Sequence, residues 1–403
     1  MREHKRHVIY IIFLVMMILH PCVRQRAFAG TGHPSHDDAG RAGQGPGEGE
    51  REARMDFREE PPAIDVSSMK SLPQAIEGAA GKKIVYVGES HDQFAHHAVQ
   101  LRIMKGLHEK DPKIAVGMEM FQRPFQQVLD DYMSGAIEER EFLKKTEYFK
   151  RWGYDYNLYK PILDFCRAEK VPVVALNLGR EITEKVSKNG LDALSDEERK
   201  EVPLQMDFSD AEYRDRLKEV FEEHTGKGER SFEFFYQAQV LWDETMAMSV
   251  DEYLGNNPDR VMIVVAGSGH LSYGSGIPKR AFRRNGLEYV TILNDAEVRR
   301  DIADYLVFPE PLDGVKAPKL MAVLSERDGR VVIAALPEDS VSRKAGLKAG
   351  DAIVSLDGAL VETIADVKIA LFYTKAGDAI KVKAARKRFW AGDREMEFEV
   401  KLR

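Results

Sequence analysis

Several short segments each place acidic or imidazole side chains directly after an apolar run. Glu89 and His91 follow Lys83–Gly88 (KIVYVG), and Glu119 follows Ile114–Met118 (IAVGM). Asn177 follows Val171–Leu176 (VPVVAL), with Arg180 soon after. His270 ends the run Gly267-Ser268-Gly269-His270 behind Val261–Ala266 (VMIVVA). These residue types suit two chemistries. Carboxylates and imidazoles together ligate a divalent metal such as Mn, Fe or Zn, which activates water. Without a metal, His91 acts as a general base oriented by a carboxylate. No serine or cysteine lies in a nucleophile-elbow context, so acyl-enzyme chemistry is not favoured. Taken singly, a Glu after a strand is a helix cap and a His beside glycines a loop donor. It is their shared position that makes Glu89, His91, Glu119 and His270 candidate catalytic or metal-ligating residues, with Asn177 and Arg180 lining the same pocket.

The elements that must position them alternate. Apolar runs of strand length are separated by helices of period 3.6, such as the one carrying Phe94, Ala98, Leu101 and Met104 on one face. Asn157–Lys170 reads as a helix and Leu287–Leu293 as a fifth strand. Continuous apolar strands between helices predict an α/β fold with a parallel sheet flanked by helices. The stretch Glu181–Leu254 is too long for one crossover and predicts a helical subdomain that lids or flanks the sheet. Ligands of open parallel sheets bind outside the carboxyl ends of the strands, where all the candidate residues fall. Glu89 and His91, two positions apart on extended backbone, point the same way. His96 and His97 read equally as supports of the pocket or as helix-face residues. Asp243 and Glu244 read as a solvated face of the helix Ser231–Leu254, with reach into the pocket as the alternative.

The chain has 403 residues, 43% hydrophobic and 31% charged, with net charge −7. That is a soluble globular composition of two or three domains. Residues 1–29 carry Arg2, Lys5, Arg6, Arg24 and Arg26 against Glu3, a net of +4, so the remainder carries about −11. A chain this acidic, without a basic stripe, is a poor nucleic-acid binder. Cys22 and Cys166 are its only cysteines, which excludes a disulfide framework and a cysteine-cluster zinc site. Residues 1–29 read as a signal peptide: a basic start, the apolar run Val8–Leu19, then Ala27-Phe28-Ala29. Export to the periplasm or cell envelope follows, with a membrane anchor if the segment is not cleaved. Residues 30–60 are Gly-rich and polar and read as a disordered linker, His33 and His36 included. Residues 61–310 then form the α/β domain.

Motifs in that domain resemble a known family. Val-Tyr-Val-Gly-Glu-Ser-His-Asp with His96-His97, Gly-Met-Glu-Met-Phe, Trp152-Gly-Tyr, Ala-Leu-Asn, Gln239-Val-Leu-Trp-Asp-Glu and Ala-Gly-Ser-Gly-His-Leu with Gly276-Ile-Pro occur in order over residues 64–310. Together they are similar to the ChaN-like haem-binding uptake family of the Tiki superfamily. The resemblance implies an exported protein associated with haem acquisition, with haem held between two copies of the chain. It also implies kinship with metalloproteases and antibiotic esterases, whose shared polar site maps onto Glu89, His91, Glu119 and His270. A haem site needs a flat apolar surface, an axial Tyr or His, and basic groups for the propionates. The segment Tyr148–Tyr159 (YFKRWGYDYNLY) offers such groups, and Tyr236 is a further candidate, although clustered aromatics are often core. The axial ligand stays open.

Residues 311–318 (PLDGVKAP) form a linker. Beyond it, Ser342-Arg-Lys-Ala-Gly-Leu-Lys-Ala-Gly-Asp with Asp357-Gly358 resembles the PDZ domain of bacterial exported proteases, a small mostly-β module over residues 319–403. Such modules bind a peptide or a protein C-terminus by adding a strand to a sheet edge. Here Leu320, Met321 and Ala322 match the carboxylate-binding loop, and the helix Thr363–Tyr373 walls the groove. The alternative is a PDZ shape whose groove serves only internal packing. Two functions result: a haem- or iron-binding uptake-type protein with a peptide-binding module, or a metal-dependent, peptidase-like hydrolase using the Glu/His crevice.

Overall fold

The structure is a computed structural model that describes residues 64–224, 231–388 and 392–403. The expected signal peptide, the Gly-rich linker, Cys22, His33 and His36 lie outside the described residues. Residues 70–403 form one compact unit.

The α/β domain begins with α1 (Leu72–Ala79), β1 (Ile84–Glu89), α2 (Phe94–Lys110) and β2 (Ile114–Gln122). Short helices follow: α3 (Gln126–Ser134), α4 (Glu139–Lys145), α5 (Tyr148–Arg151) and α6 (Lys160–Ala168). Then come β3 (Val173–Asn177), α7 (Arg180–Asn189), α8 (Ala211–His224) and the long α9 (Phe232–Asn256). The domain closes with β4 (Val261–Gly267), α10 (Ile277–Asn285), β5 (Tyr289–Asn294) and the short β6 (Tyr305–Val307). All of these strands run parallel in the order β3-β2-β4-β1-β5-β6. The strands that carry the candidate residues are therefore contiguous neighbours.

The pleat explains why the runs are apolar throughout. Val85 and Val87 of β1 enter a core with α2, α4, α5 and α6, whereas Ile84 and Tyr86 enter a second core under α9 and α10. Both faces are covered, so neither parity can be polar. The stretch expected as a helical subdomain does more than lid the pocket. Trp242, Met246 and Val250 of α9, with Ile277 and Ala281 of α10, pack on one face of the sheet.

One edge of this sheet is β3. The Gln126 side chain lies along it like a short strand: its amide nitrogen donates to the Val173 carbonyl at 2.9 Å, and its oxygen accepts from the Ala175 amide at 2.7 Å.

The second sheet is antiparallel in the order β12-β11-β9-β8-β7. Its elements are β7 (Val323–Arg327), β8 (Arg330–Ala335), α11 (Val341–Lys344), β9 (Ala352–Leu356), β10 (Ala359–Leu360), α12 (Ile364–Phe372), β11 (Ala379–Arg388) and β12 (Gly392–Lys401). β7 is an outer strand, and α12 starts beside it, where the Ile364 amide donates to Glu326 at 2.8 Å. Thr363 and Asp366 cap α12 reciprocally.

Candidate functional site

Two buried polar clusters form at the carboxyl ends of the parallel strands. The first is built on Glu89, the last residue of β1, only 1% exposed. Its Oε1 lies 2.8 Å from His91 Nδ1 and accepts from the Tyr159 hydroxyl at 2.9 Å. His97 Nδ1 sits 2.9 Å from the other carboxylate oxygen, while it also faces the Gln100 side-chain oxygen at 3.1 Å. Burial alone would raise the Glu89 pKa, but His97 and His91 override it and hold the carboxyl well below its usual range. Burial likewise disfavours charge on His97, and Glu89 reverses that, raising its pKa.

The second cluster is built on Glu119. From Met118 to Gln122, β2 advances four positions while its partner β3 advances only from Ala175 to Asn177. Such a bulge re-aims side chains at a strand end. Glu119 Oε2 accepts the Gly267 amide at 2.7 Å, and Oε1 lies 3.4 Å from His270 Nε2. His270 Nδ1 is 2.6 Å from Asp243 Oδ1 of α9, and the Tyr213 hydroxyl donates to the same carboxylate. Burial disfavours the imidazolium, yet Glu119 and Asp243 outweigh it and lift His270 to about 9.

The clusters meet at Gly267, the last residue of β4, which lies between β1 and β2. A β-carbon there would stand 3.1 Å from His91 Nε2 and 3.6 Å from Glu119 Oε2. The missing side chain is thus what leaves His91 and Glu119 a common gap. We expect Gly267→Ala to fill that gap and displace the imidazole at a cost of about 1–3 kcal/mol. Urea unfolding checks the cost, and the His91 ring resonances check the displacement.

Asn177 supports this end of the sheet: its amide nitrogen donates to the Glu119 carbonyl at 2.9 Å, and its oxygen accepts from the Trp242 indole. Arg180 does not join the set. Its guanidinium engages Glu184 at 2.6 Å and the Lys150 carbonyl at 2.5 Å. His96 and His97 are both buried, and His97 belongs to the site; His96 instead bonds the Ser90 amide and Asp295. The reading of Asp243 and Glu244 as a solvated face is corrected. Both are 0% exposed, Asp243 holding His270 and Glu244 taking the side chains of Arg283 and Arg284. Apolar neighbours on α9 disguise them, because a helix buried on nearly all sides has no polar stripe to read.

Chemically, the Glu89 carboxylate orients His91 with its second nitrogen at the gap, the arrangement of a general base. Among the described residues, no group of three or more His, Cys, Asp or Glu has the geometry to hold a metal ion.

The aromatic segment sorts by burial. Tyr148, Tyr156 and Tyr159 are at most 1% exposed, as is Tyr236. Only Tyr154 of these candidates is part-exposed, its ring 5.2 Å from His91 and 5.6 Å from Trp152. Trp152 itself lies 4.8 Å from His91.

A covered parallel sheet with a polar site at its carboxyl end, followed by a small antiparallel peptide-binding-type module, defines a two-domain ligand-binding architecture. Residues 75–281 match the family described as haem-binding uptake, Tiki superfamily, ChaN, and the chain belongs to that family. Residues 318–402 match the PDZ domain. The fold is similar to the structure titled cofacial heme binding to ChaN of Campylobacter jejuni. The two are 19% identical, with a TM-score of 0.50 over 60% of this chain and 92% of that one. The chain is also 26% identical over 237 residues to Protein RETICULATA-RELATED 5, chloroplastic, of Arabidopsis thaliana, covering 53% of this chain. It spans 31% of that relative's length.

Proposed function

We propose that this protein is an exported haem- or iron-handling binding protein whose PDZ module recruits a peptide or a protein C-terminus. Family membership supports the haem reading, and one observation carries it to a residue: Tyr154 is the tyrosine of the aromatic segment left accessible, beside Trp152 and His91. Its phenolate would hold the haem iron, a phenolate being an established axial donor. Lys150, whose largely exposed side chain pairs with Glu147, would be the basic group offered to a propionate. Haem bound there would be covered by a second copy of the chain, which makes a homodimer part of the proposal. Titration of the purified full chain with haemin tests it. Saturable binding with a shifted Soret band supports the reading, and a featureless titration overturns it.

The PDZ module is suited to a chain terminus. Among the described residues, no acceptor takes the amides of Leu320, Met321 or Ala322, and Met321 adopts a left-handed backbone (φ 51°). Successive free amides around such a residue make an anion-binding concavity. The Leu320 side chain is buried in the module's core, so it contributes backbone only. We expect peptides ending in a free carboxylate to bind the full chain in calorimetry, and their C-terminal amides to bind at least about tenfold more weakly.

The Glu89–His91 pair favours a second reading, a peptidase-like hydrolase. It would use His91 as the base, with Glu119 and His270 across the gap. A metal-dependent version would need these side chains to rearrange. Turnover of peptide or ester substrates, lost in His91→Ala, would support that reading.

A further inference from the structure

The loop Trp152–Asp155 separates the buried site from the C-terminal module. On its inner side, Trp152 and Tyr154 set their rings against His91 at 4.8 and 5.2 Å. On its outer side, contacts come from beyond residue 310. The Lys368 ammonium of α12 donates to the Gly153 carbonyl at 3.4 Å. The Ala317 amide donates to Asp155 at 2.7 Å. Three residues earlier, the linker crosses α2 so closely that a β-carbon on Gly314 would stand 2.1 Å from the Phe94 ring.

The rest of α12 is committed in the same direction. Its Val367 and Leu371 enter the module's own core, whereas Ile369, 4% exposed, enters the core of the α/β domain. Phe372 packs edge-on to Tyr156 at 5.3 Å, and the Tyr373 hydroxyl donates to Glu139 at 3.1 Å. Burial lowers the Lys368 pKa, the mark of an ammonium carried into an interface.

We infer that the PDZ module is a clamp on the site of the α/β domain: α12 and the linker hold Trp152–Asp155 so that Trp152 and Tyr154 are kept over His91. Lys368 is a positioning residue in this arrangement, acting on His91 through the loop. The clamp is also placed to respond to a ligand. α12 is tied to the outer strand β7 through Glu326 and Ile364, so a chain terminus added along β7 bears directly on the helix that holds the loop.

Hydrogen exchange on the full chain tests the clamp without any ligand, so its outcome is independent of the haem reading. The reporters are the amides of Trp152 and Gly153, which donate to the Tyr148 carbonyl at 2.9 and 3.2 Å. In Lys368→Ala, these amides are expected to exchange about tenfold faster, while those of β9 and β11 keep their protection. Lys368→Met retains the aliphatic stem and removes only the charge-assisted bond. It is read the same way should the alanine variant lose the module's fold. Unchanged exchange at Trp152 and Gly153 with both modules folded overturns the inference, since the PDZ module would then merely lean on a wall that is rigid without it.

Discussion

Asp243→Asn is expected to destabilise the chain by about 3 kcal/mol at pH 6 and to flatten its loss of stability in alkali. Asp243 is completely buried and holds His270 at 2.6 Å, with Tyr213 donating to its other oxygen. Removing one partner of a buried, hydrogen-bonded ion pair leaves the other charge uncompensated, which costs several kcal/mol. The pH dependence has a definite sign. The folded pKa of His270, about 9, lies above the ordinary imidazole value of 6.5. The proton is therefore bound more tightly in the native state. The resulting stabilisation is complete below about pH 6.5 and is lost as pH rises through about 9, on the order of 3 kcal/mol in all. His97, also raised, adds loss in the same direction. Glu89 acts at the other end: its depressed pKa gives stability that is present above the usual carboxylate range and disappears on acidification. Urea midpoints at pH 3, 6, 7.5 and 9 separate these effects. Equal midpoints for wild type and Asp243→Asn at pH 6 would refute the ion pair.

Tyr154→Phe is the second large effect. Haemin affinity is expected to fall by about a hundredfold, with loss of the phenolate-to-iron absorption band. The tyrosine is part-exposed, so its hydroxyl can be removed without opening the core. Tyr159→Phe is the informative contrast. Its hydroxyl is buried against Glu89, so its removal should lower stability by about 1–3 kcal/mol and leave haemin binding nearly intact. If haemin binding survives in Tyr154→Phe and fails in Tyr159→Phe, the assignment of the axial group is wrong.

Much of this architecture was legible in the sequence, for identifiable reasons. The apolar runs located β1 to β5 because each strand is buried on both faces and cannot hide among polar residues. The polar groups behind them were legible because strand ends stand out against such runs. The short β6 was missed: three half-buried residues, Tyr305–Val307, carry no pattern of their own. The bulge at Glu119 was also invisible, since extra residues in a strand change register without changing composition. Asp243 was misjudged because its partners, His270 and Tyr213, are 27 and 30 residues away. No local period reports a charge whose neutraliser lies on another element. Arg180 was misplaced for the converse reason. It follows β3 closely, but it starts α7, where Glu184 one turn on captures it.

The side-chain amide lying along β3 has a consequence for how these molecules avoid one another. Lateral recruitment of a foreign strand requires a row of vacant donors and acceptors. On β3, Gln126 already occupies those of Val173 and Ala175. A copy of the chain approaching that flank finds a surrogate peptide bond in place of a template, and α3 would have to peel away before fibril-like stacking could start there. Among the described residues, the outer strand β7 of the C-terminal module carries no such plug, so strand pairing with other polypeptides is directed away from the β3 flank.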